Sequence, residues 1–288
     1  MFQALFLPLF YLLLAQCASA PQETCTDSQP LVLVSVCPYL PLVQQIAGSD
    51  LAVKAVAPSL SNPHSFEPTA KEMQGIADTV LWFTIGEPFE EKMVPLLQAG
   101  NDQLLIQDLR EGISLIGSSS HCCNNTLGDR HIWFSPKLVC KQAEKIERAL
   151  SQKFPQKEGQ FKAHLAQLQK DLVKLDQEIE TILSSVSKRS LLVSHPAFSY
   201  FCKEYGLQQI SIEQDGKDPR PKDLEAILHT AMNQNIQLII ILPQHNNKGA
   251  LFIAEALKIP VASINPYSSN YFEMMIHLAN TIAGAYDH

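Results

Sequence analysis

The sequence lacks the signals that mark nucleic-acid-binding proteins and several classes of enzyme. Its 22 Lys and Arg residues are outnumbered by 29 Asp and Glu, and the formal net charge is -7. No cluster of basic residues resembles a surface that follows phosphates, so we expect no nucleic-acid partner. The motifs H-E-x-x-H, G-x-S-x-G, G-x-G-x-x-G and the P-loop are also absent. The corresponding zinc proteases, serine hydrolases and nucleotide-binding folds therefore have no support in the sequence.

A C-x-x-C pair is missing too, although the chain holds seven cysteines. Neither a thioredoxin-like redox centre nor a zinc ribbon is therefore indicated. Cys37 and Cys202 lie among apolar residues, and we expect both to be buried thiols. Cys122 and Cys123 lie in a polar loop, where a disulfide with another cysteine and a contact with metal both stay open.

Basic residues are absent before Lys54, and residues 2–15 are almost continuously apolar. About fourteen apolar residues are too few to span a bilayer comfortably, but they suit the central region of a secretory signal. We predict a signal peptide over residues 1–20 and a periplasmic or otherwise extracytoplasmic location. A lipid anchor at Cys17 and an uncleaved N-terminal anchor are the alternatives.

Residues 156–186 carry apolar side chains at steps of four and three, with polar residues between them. This pattern is typical of one long helix with a narrow apolar stripe, and a coiled coil shows it as well. Strand-like and helix-like segments alternate on both sides of it. The sequence therefore predicts an α/β protein with two lobes, each a parallel-type sheet flanked by helices. The expected N-terminal lobe covers 21–155, the linking helix 156–186 and the C-terminal lobe 187–288.

Three histidines occupy comparable places in this pattern. His64 and His195 lie just beyond predicted strands, and His131 lies in a loop that opens a helix. Ligands of open parallel sheets gather beyond the carboxyl ends of the strands, so a site that uses all three must lie between the lobes. Imidazole is a common neutral ligand for zinc-class metals. Each histidine taken singly is more often a hydrogen-bonded loop residue, and His121 and His245 stay unassigned.

Three ordered motifs strengthen the metal hypothesis. Residues 62–69 (NPHSFEPT), 129–136 (DRHIWFSP) and 194–201 (SHPAFSYF) resemble the metal-ligand motifs of the ZnuA/TroA-like solute-binding proteins of metal ABC importers. The resemblance implies two α/β lobes, one rigid linking helix and a single divalent metal ion in the cleft. By motif position it implies that the metal ligands include His64, His131 and His195.

The resemblance also has departures. The family commonly places an Asp at the fourth ligand position, whereas this chain has Asn265 there. We therefore expect Asn265 as the fourth ligand, with water or His245 as alternatives. Manganese-binding relatives often have Glu at the third position, so His195 favours zinc, with Mn²⁺ or Fe²⁺ as the alternative cargo.

The function implied by the resemblance is capture of a divalent metal ion outside the cytoplasm. The protein would hand this ion to the membrane permease of a metal ABC importer, act as a monomer and catalyse no reaction. The alternative of another class is a zinc-dependent hydrolase, which would need a general base close to the metal. A surface adhesin is a third hypothesis.

Overall fold

The computed structural model of the protein describes residues 29–117, 128–186, 190–213, 217 and 219–286. The predicted signal peptide, Cys17, His121 and the pair Cys122-Cys123 lie outside these described residues. Within the described ranges, no helix combines the length and the apolar character that a membrane span needs.

The N-terminal half is a parallel sheet covered by helices. Its strands are β1 (Leu31–Val36), β2 (Ala52–Ala57), β3 (Thr79–Thr84) and β4 (Leu105–Asp108). They lie in the order β2-β1-β3-β4, and all neighbouring strands are parallel. The helices are α1 (Tyr39–Ala47), α2 (Ala70–Gln74), α3 (Pro88–Gly100) and α4 (Pro136–Lys153). Strand β1 is apolar at every position except Ser35, because helices cover both faces of the sheet.

One long helix, α5 (Glu158–Ile182), joins the two halves. It follows a 3-10 turn at Pro155–Lys157 and lies inside the predicted range 156–186. At ~1.5 Å per residue its length is roughly 37 Å. The helix ends before the prediction because residues 183–186 turn away from it, with the N–H of Val186 donating to the carbonyl of Leu183. Val186 is nevertheless buried, so the apolar pattern continues past the helix end.

The C-terminal half repeats the same topology with shorter strands. Its strands are β5 (Ser190–Val193), β6 (Gln208–Ser211), β7 (Ile239–Ile241) and β8 (Val261–Ser263). Their order is β6-β5-β7-β8, again with parallel neighbours. The helices are α6 (Ser199–Glu204), α7 (Pro221–Asn233), α8 (Lys248–Leu257) and α9 (Tyr271–Tyr286). The predicted α/β class with two parallel sheets is confirmed.

A continuous apolar core connects the two halves through α5. Its fully buried members include Val34 from β1, Leu168 from α5 and Tyr271 from α9. Helix α5 packs on α1 and α4 of the N-terminal half and on α9 of the C-terminal half. The apolar stripe of α5 is thus buried inside this chain, which favours the single linking helix over the coiled coil. Cys37 and Cys202 are buried thiols, as predicted.

Candidate metal site

The three predicted histidines lie together between the two sheets. His64 comes from the loop between β2 and α2, His131 precedes a short 3-10 turn before α4, and His195 directly follows β5. Each of them offers a ring nitrogen, and these three atoms lie within 4.8 Å of one another. His131 and His195 are buried, whereas the His64 side chain is 23% exposed.

The spacing of the three rings matches what a tetrahedral metal ion requires. The ring centroids of His64 and His131 are 5.3 Å apart, those of His64 and His195 5.2 Å, and those of His131 and His195 5.4 Å. With metal–nitrogen bonds of about 2.0 Å and near-tetrahedral angles, imidazole centroids should lie about 5 Å apart. The three rings therefore already have the separation of a ligand set.

In the N-terminal half, each histidine has its own carboxylate. His64 Nδ1 lies 2.9 Å from Glu87 Oε2, and His131 Nδ1 lies 2.8 Å from Asp129 Oδ1. An Nδ1–H that donates to a carboxylate leaves the Nε2 lone pair available, which is the tautomer that binds metal. Asp129 also accepts a hydrogen bond from the backbone N–H of His131, so this loop holds its own histidine in place.

In the C-terminal half, two histidines share one carboxylate. His195 Nδ1 is hydrogen-bonded to Glu213 Oε2, and His245 Nδ1 lies 3.6 Å from Glu213 Oε1. The two rings stack with centroids 3.9 Å apart and an angle of 26° between their planes. His195, Glu213 and His245 form a second group with metal-binding potential that overlaps the first group at His195.

The carboxylates behind the histidines give the site a negative potential. Burial acts to raise the pKa of the Glu87 carboxyl, but the hydrogen bond with His64 and its charge hold that pKa below the ordinary value. The pKa values of Asp129 and Glu213 are lowered by their own histidine contacts against the same effect of burial. Burial lowers the pKa of His195, so that imidazole is neutral at neutral pH. Three carboxylates with lowered pKa values thus lie behind the imidazoles, and their negative charge attracts a divalent cation.

Asn265 lies beside the histidine cluster, and its side chain has protein partners. Its Oδ1 accepts hydrogen bonds from Gln244 Nε2 at 2.7 Å and from the backbone N–H of Tyr267 at 2.9 Å. The Tyr267 hydroxyl lies 3.1 Å from His131 Nε2 and 3.4 Å from His64 Nε2. The described contacts therefore connect Asn265 to the cluster through Tyr267, and its role as a ligand stays a prediction.

Three further residues near the histidines were not predicted from the sequence: Glu87, Glu213 and Tyr267. The rule that located the histidines applies to them as well, because each follows the carboxyl end of a strand. Glu87 lies three residues after β3, Glu213 two residues after β6 and Tyr267 four residues after β8. The signal was present, but acidic and aromatic loop residues are too common for it to stand out.

Two parallel-sheet halves joined by one long helix, with imidazoles converging between them, define the class of helix-linked solute-binding proteins for metal ions. The ZnuA family model, described as zinc-uptake complex component A, periplasmic, matches residues 32–285. The chain therefore belongs to the ZnuA family. Members of this family are extracytoplasmic binding proteins of metal ABC importers, which also contain a membrane permease and an ATPase.

Similar proteins with reported names agree with this assignment. A putative metal-binding protein of Chlamydia trachomatis is 33% identical over 284 residues, which cover 97% of this chain and 98% of that protein. A crystal structure of ZnuA matches with a TM-score of 0.84 and 28% identity over 90% of this chain and 99% of its own. The zinc-binding lipoprotein AdcA of Streptococcus pneumoniae is 27% identical over 73% of this chain, which corresponds to 43% of AdcA.

Proposed function

We propose that this protein captures a zinc ion outside the cytoplasm and delivers it to the membrane permease of an ABC importer. The ligands that we assign are His64, His131 and His195. The observation that carries the proposal is their geometry: three rings at the spacing of a tetrahedral site, each with a carboxylate at Nδ1. A carboxylate in this position orients the ring and increases the basicity of the nitrogen that binds metal.

The balance of hydrogen-bond donors and acceptors supports a cation at this point. With every Nδ1–H directed to a carboxylate, the Nε2 atoms are acceptors that need a donor or a cation. Tyr267 carries one hydroxyl hydrogen and contacts two of these nitrogens, so it can donate to only one of them at a time. Nε2 of His195 is buried without a hydrogen-bond partner among the described residues. A metal ion at the centre would satisfy all three acceptors.

The chemistry of the donors favours zinc over manganese. Imidazole nitrogen suits zinc, whereas manganese prefers carboxylate, carbonyl and water oxygen. The carboxylates of this site face Nδ1 atoms, so they supply charge rather than ligand atoms. AdcA, a relative, is named a zinc-binding protein. Manganese or iron as cargo is the alternative within the same role.

The arrangement of the carboxylates also argues for binding without catalysis. A zinc-dependent hydrolase needs a general base that takes a proton from metal-bound water. The described carboxylates nearest the histidines, Glu87, Asp129 and Glu213, are each held by a histidine Nδ1. A carboxylate in that role is an orienting partner and is poorly placed to act as a base.

Competition titration of the purified protein against a chromogenic chelator tests the metal assignment. We expect one zinc per chain and weaker binding of Mn²⁺ and Fe²⁺, with large losses of zinc affinity in His64→Ala, His131→Ala and His195→Ala. His229, exposed on α7, provides the control variant His229→Gln, which should match the wild type. Zinc affinity near that of the wild type in all three variants would show that these histidines do not bind the metal.

Two further measurements test delivery and the absence of turnover. In a zinc-limited bacterial strain that lacks its own zinc-binding protein, the wild-type chain expressed with the cognate permease should restore growth, and His131→Ala should not. Zinc-loaded protein should show no zinc-dependent hydrolysis of esters, phosphodiesters or peptides. Turnover that disappears with the metal and with His131→Ala would favour the hydrolase.

The proposal includes export and a monomeric state. Protein isolated from its own host should begin near Pro21, or carry a lipid at Cys17, because residues 1–20 have the pattern of a secretory signal. Intact mass spectrometry measures this directly, and a chain that retains Met1 would contradict it.

Light scattering should give the mass of one chain. Limited proteolysis should cut near the proposed boundaries between 21–155, 156–186 and 187–288.

A further inference from the structure

A fourth imidazole lies next to the three proposed ligands. His245 is in the turn between β7 and α8, and its side chain is only 4% exposed. Its Nε2 is buried and has no hydrogen-bond partner among the described residues. A buried polar atom without a partner costs free energy, and such an atom beside a metal site is a candidate ligand.

The ring of His245 has nearly the same orientation as the ring of His195, and Glu213 faces both. The Nδ1 atoms of both rings face the two oxygens of this carboxylate, and the rings are nearly parallel. Nearly parallel rings that turn Nδ1 toward one carboxylate also turn their Nε2 atoms toward one side. His195 belongs to the group of three histidines whose ring nitrogens lie within 4.8 Å of one another, so the nearly parallel ring of His245 is turned toward the same group.

Asn265, the residue expected at the fourth ligand position, already uses its side-chain oxygen in hydrogen bonds within the protein. A carbonyl oxygen has two lone pairs, and Oδ1 of Asn265 accepts from Gln244 Nε2 and from the backbone N–H of Tyr267. Coordination by this oxygen would require at least one of these hydrogen bonds to break. The bond to Gln244 instead anchors the residue that immediately precedes His245.

On the basis of the proposed zinc-binding function, we infer that His245 is the fourth metal ligand and that Asn265 positions the turn that carries it. This gives the ion four imidazoles, with Glu213 supporting two of them. Because every ligand atom is then a nitrogen, the site favours zinc over manganese more strongly than a site with an oxygen ligand would.

His245 must shift when the ion binds. Its ring centroid is 3.9 Å from that of His195 and 6.4 Å from that of His64, whereas tetrahedral ligands would make both distances about 5 Å. The ring therefore has to move away from His195 and toward His64. Its contact with Glu213, at 3.6 Å, is too long for a strong hydrogen bond and leaves the ring free to make this adjustment.

The test compares His245→Phe with three other variants. Phenylalanine keeps a ring that can stack on His195 but removes the nitrogen. We expect His245→Phe to weaken zinc binding at least about 10-fold, because loss of a ligand should cost no less than loss of an outer-sphere partner. Asn265→Ala and Tyr267→Phe should lose less than His245→Phe, and His229→Gln should lose nothing. Circular dichroism of the metal-free proteins checks that every variant is folded.

X-ray absorption of the zinc-loaded proteins provides a readout that a merely structural role would not change. The imidazole count should be four in the wild type and three in His245→Phe. The bands of bound Co²⁺ should change in the same variant, because they report the coordination geometry. His245→Phe with wild-type affinity and an unchanged imidazole count overturns the inference, as does an oxygen ligand that disappears in Asn265→Ala or Tyr267→Phe. In those cases the losses of zinc affinity in His64→Ala, His131→Ala and His195→Ala would persist, whereas the zinc site of the proposed function fails if all three variants bind zinc normally.

Discussion

The two halves have the same strand order, yet they hold their histidines differently. In the N-terminal half, His64 and His131 each have a separate carboxylate, at 2.9 Å and 2.8 Å. In the C-terminal half, His195 and His245 share Glu213. A shared carboxylate couples the positions of two rings, whereas separate carboxylates fix each ring independently. The orientation of the histidines in the C-terminal half should therefore be more sensitive to the loss of a single acidic residue.

The halves nevertheless share one apolar core, and a substitution there should have the largest effect. Leu168 on α5 is fully buried in the core that contains residues of both sheets. We expect Leu168→Ala to lower the free energy of unfolding by about 3 kcal/mol, because it removes buried methyl groups and leaves a cavity. Urea unfolding followed by circular dichroism should show one transition that moves as a whole. Val173 lies on the same helix and is 52% exposed, so Val173→Ala should change stability by less than about 0.5 kcal/mol. Two transitions, of which only one moves, would show that the halves unfold independently.

Removal of the shared carboxylate should have the next largest effect. Glu213→Gln keeps the size of the side chain but removes the charge and one acceptor, so neither His195 nor His245 is oriented as before. We expect zinc affinity to fall about 100-fold, at the upper end of the range for partners of metal ligands. Chelator competition measures the change. A loss no larger than that of a variant with one histidine partner would contradict the coupling of the two rings.

Removal of a carboxylate with a single partner should cost less. Glu87 is fully buried and, among the histidines that the structure describes, contacts only the His64 ring, so Glu87→Gln should weaken zinc binding about 10-fold. The control is Glu91→Gln, at an exposed position of helix α3, which begins directly after Glu87; it should leave the affinity unchanged. The same titration applies to both variants. Equal losses in Glu87→Gln and Glu213→Gln would mean that sharing a carboxylate has no consequence.

The smallest effect is expected in the overall shape. Hinge closure requires a few residues that absorb large backbone changes. Here the connection is the helix α5, which packs on α1, α4 and α9, and Trp133 Nε1 also donates to the carbonyl of Pro266 across the halves at 3.0 Å. The radius of gyration from small-angle scattering should therefore be almost the same with and without zinc. A clear compaction would show that the halves move as separate bodies.

The sequence predicted most of the fold because its periodicities are local. The apolar run at 31–36 coincides with β1, and the stripe from Phe161 to Ile179 is the buried face of α5. The limits of a strand are harder to predict where buried apolar residues continue beyond the residues that pair in the sheet. Strand β7 has 3 residues, although Leu238 and Leu242 on either side of it are also apolar and buried.

For the site, the sequence by itself predicted that His64, His131 and His195 converge, from their motifs and because ligands of parallel sheets gather beyond the carboxyl ends of the strands. It left His245 unassigned. Only the tertiary structure decided which carboxylate each imidazole contacts and what surrounds the fourth position. Glu87 is 23 positions from His64, Glu213 is 18 from His195, and Tyr267 is 136 from His131. Contacts over such separations depend on how loops pack above the sheets, and no periodicity of the chain encodes that packing.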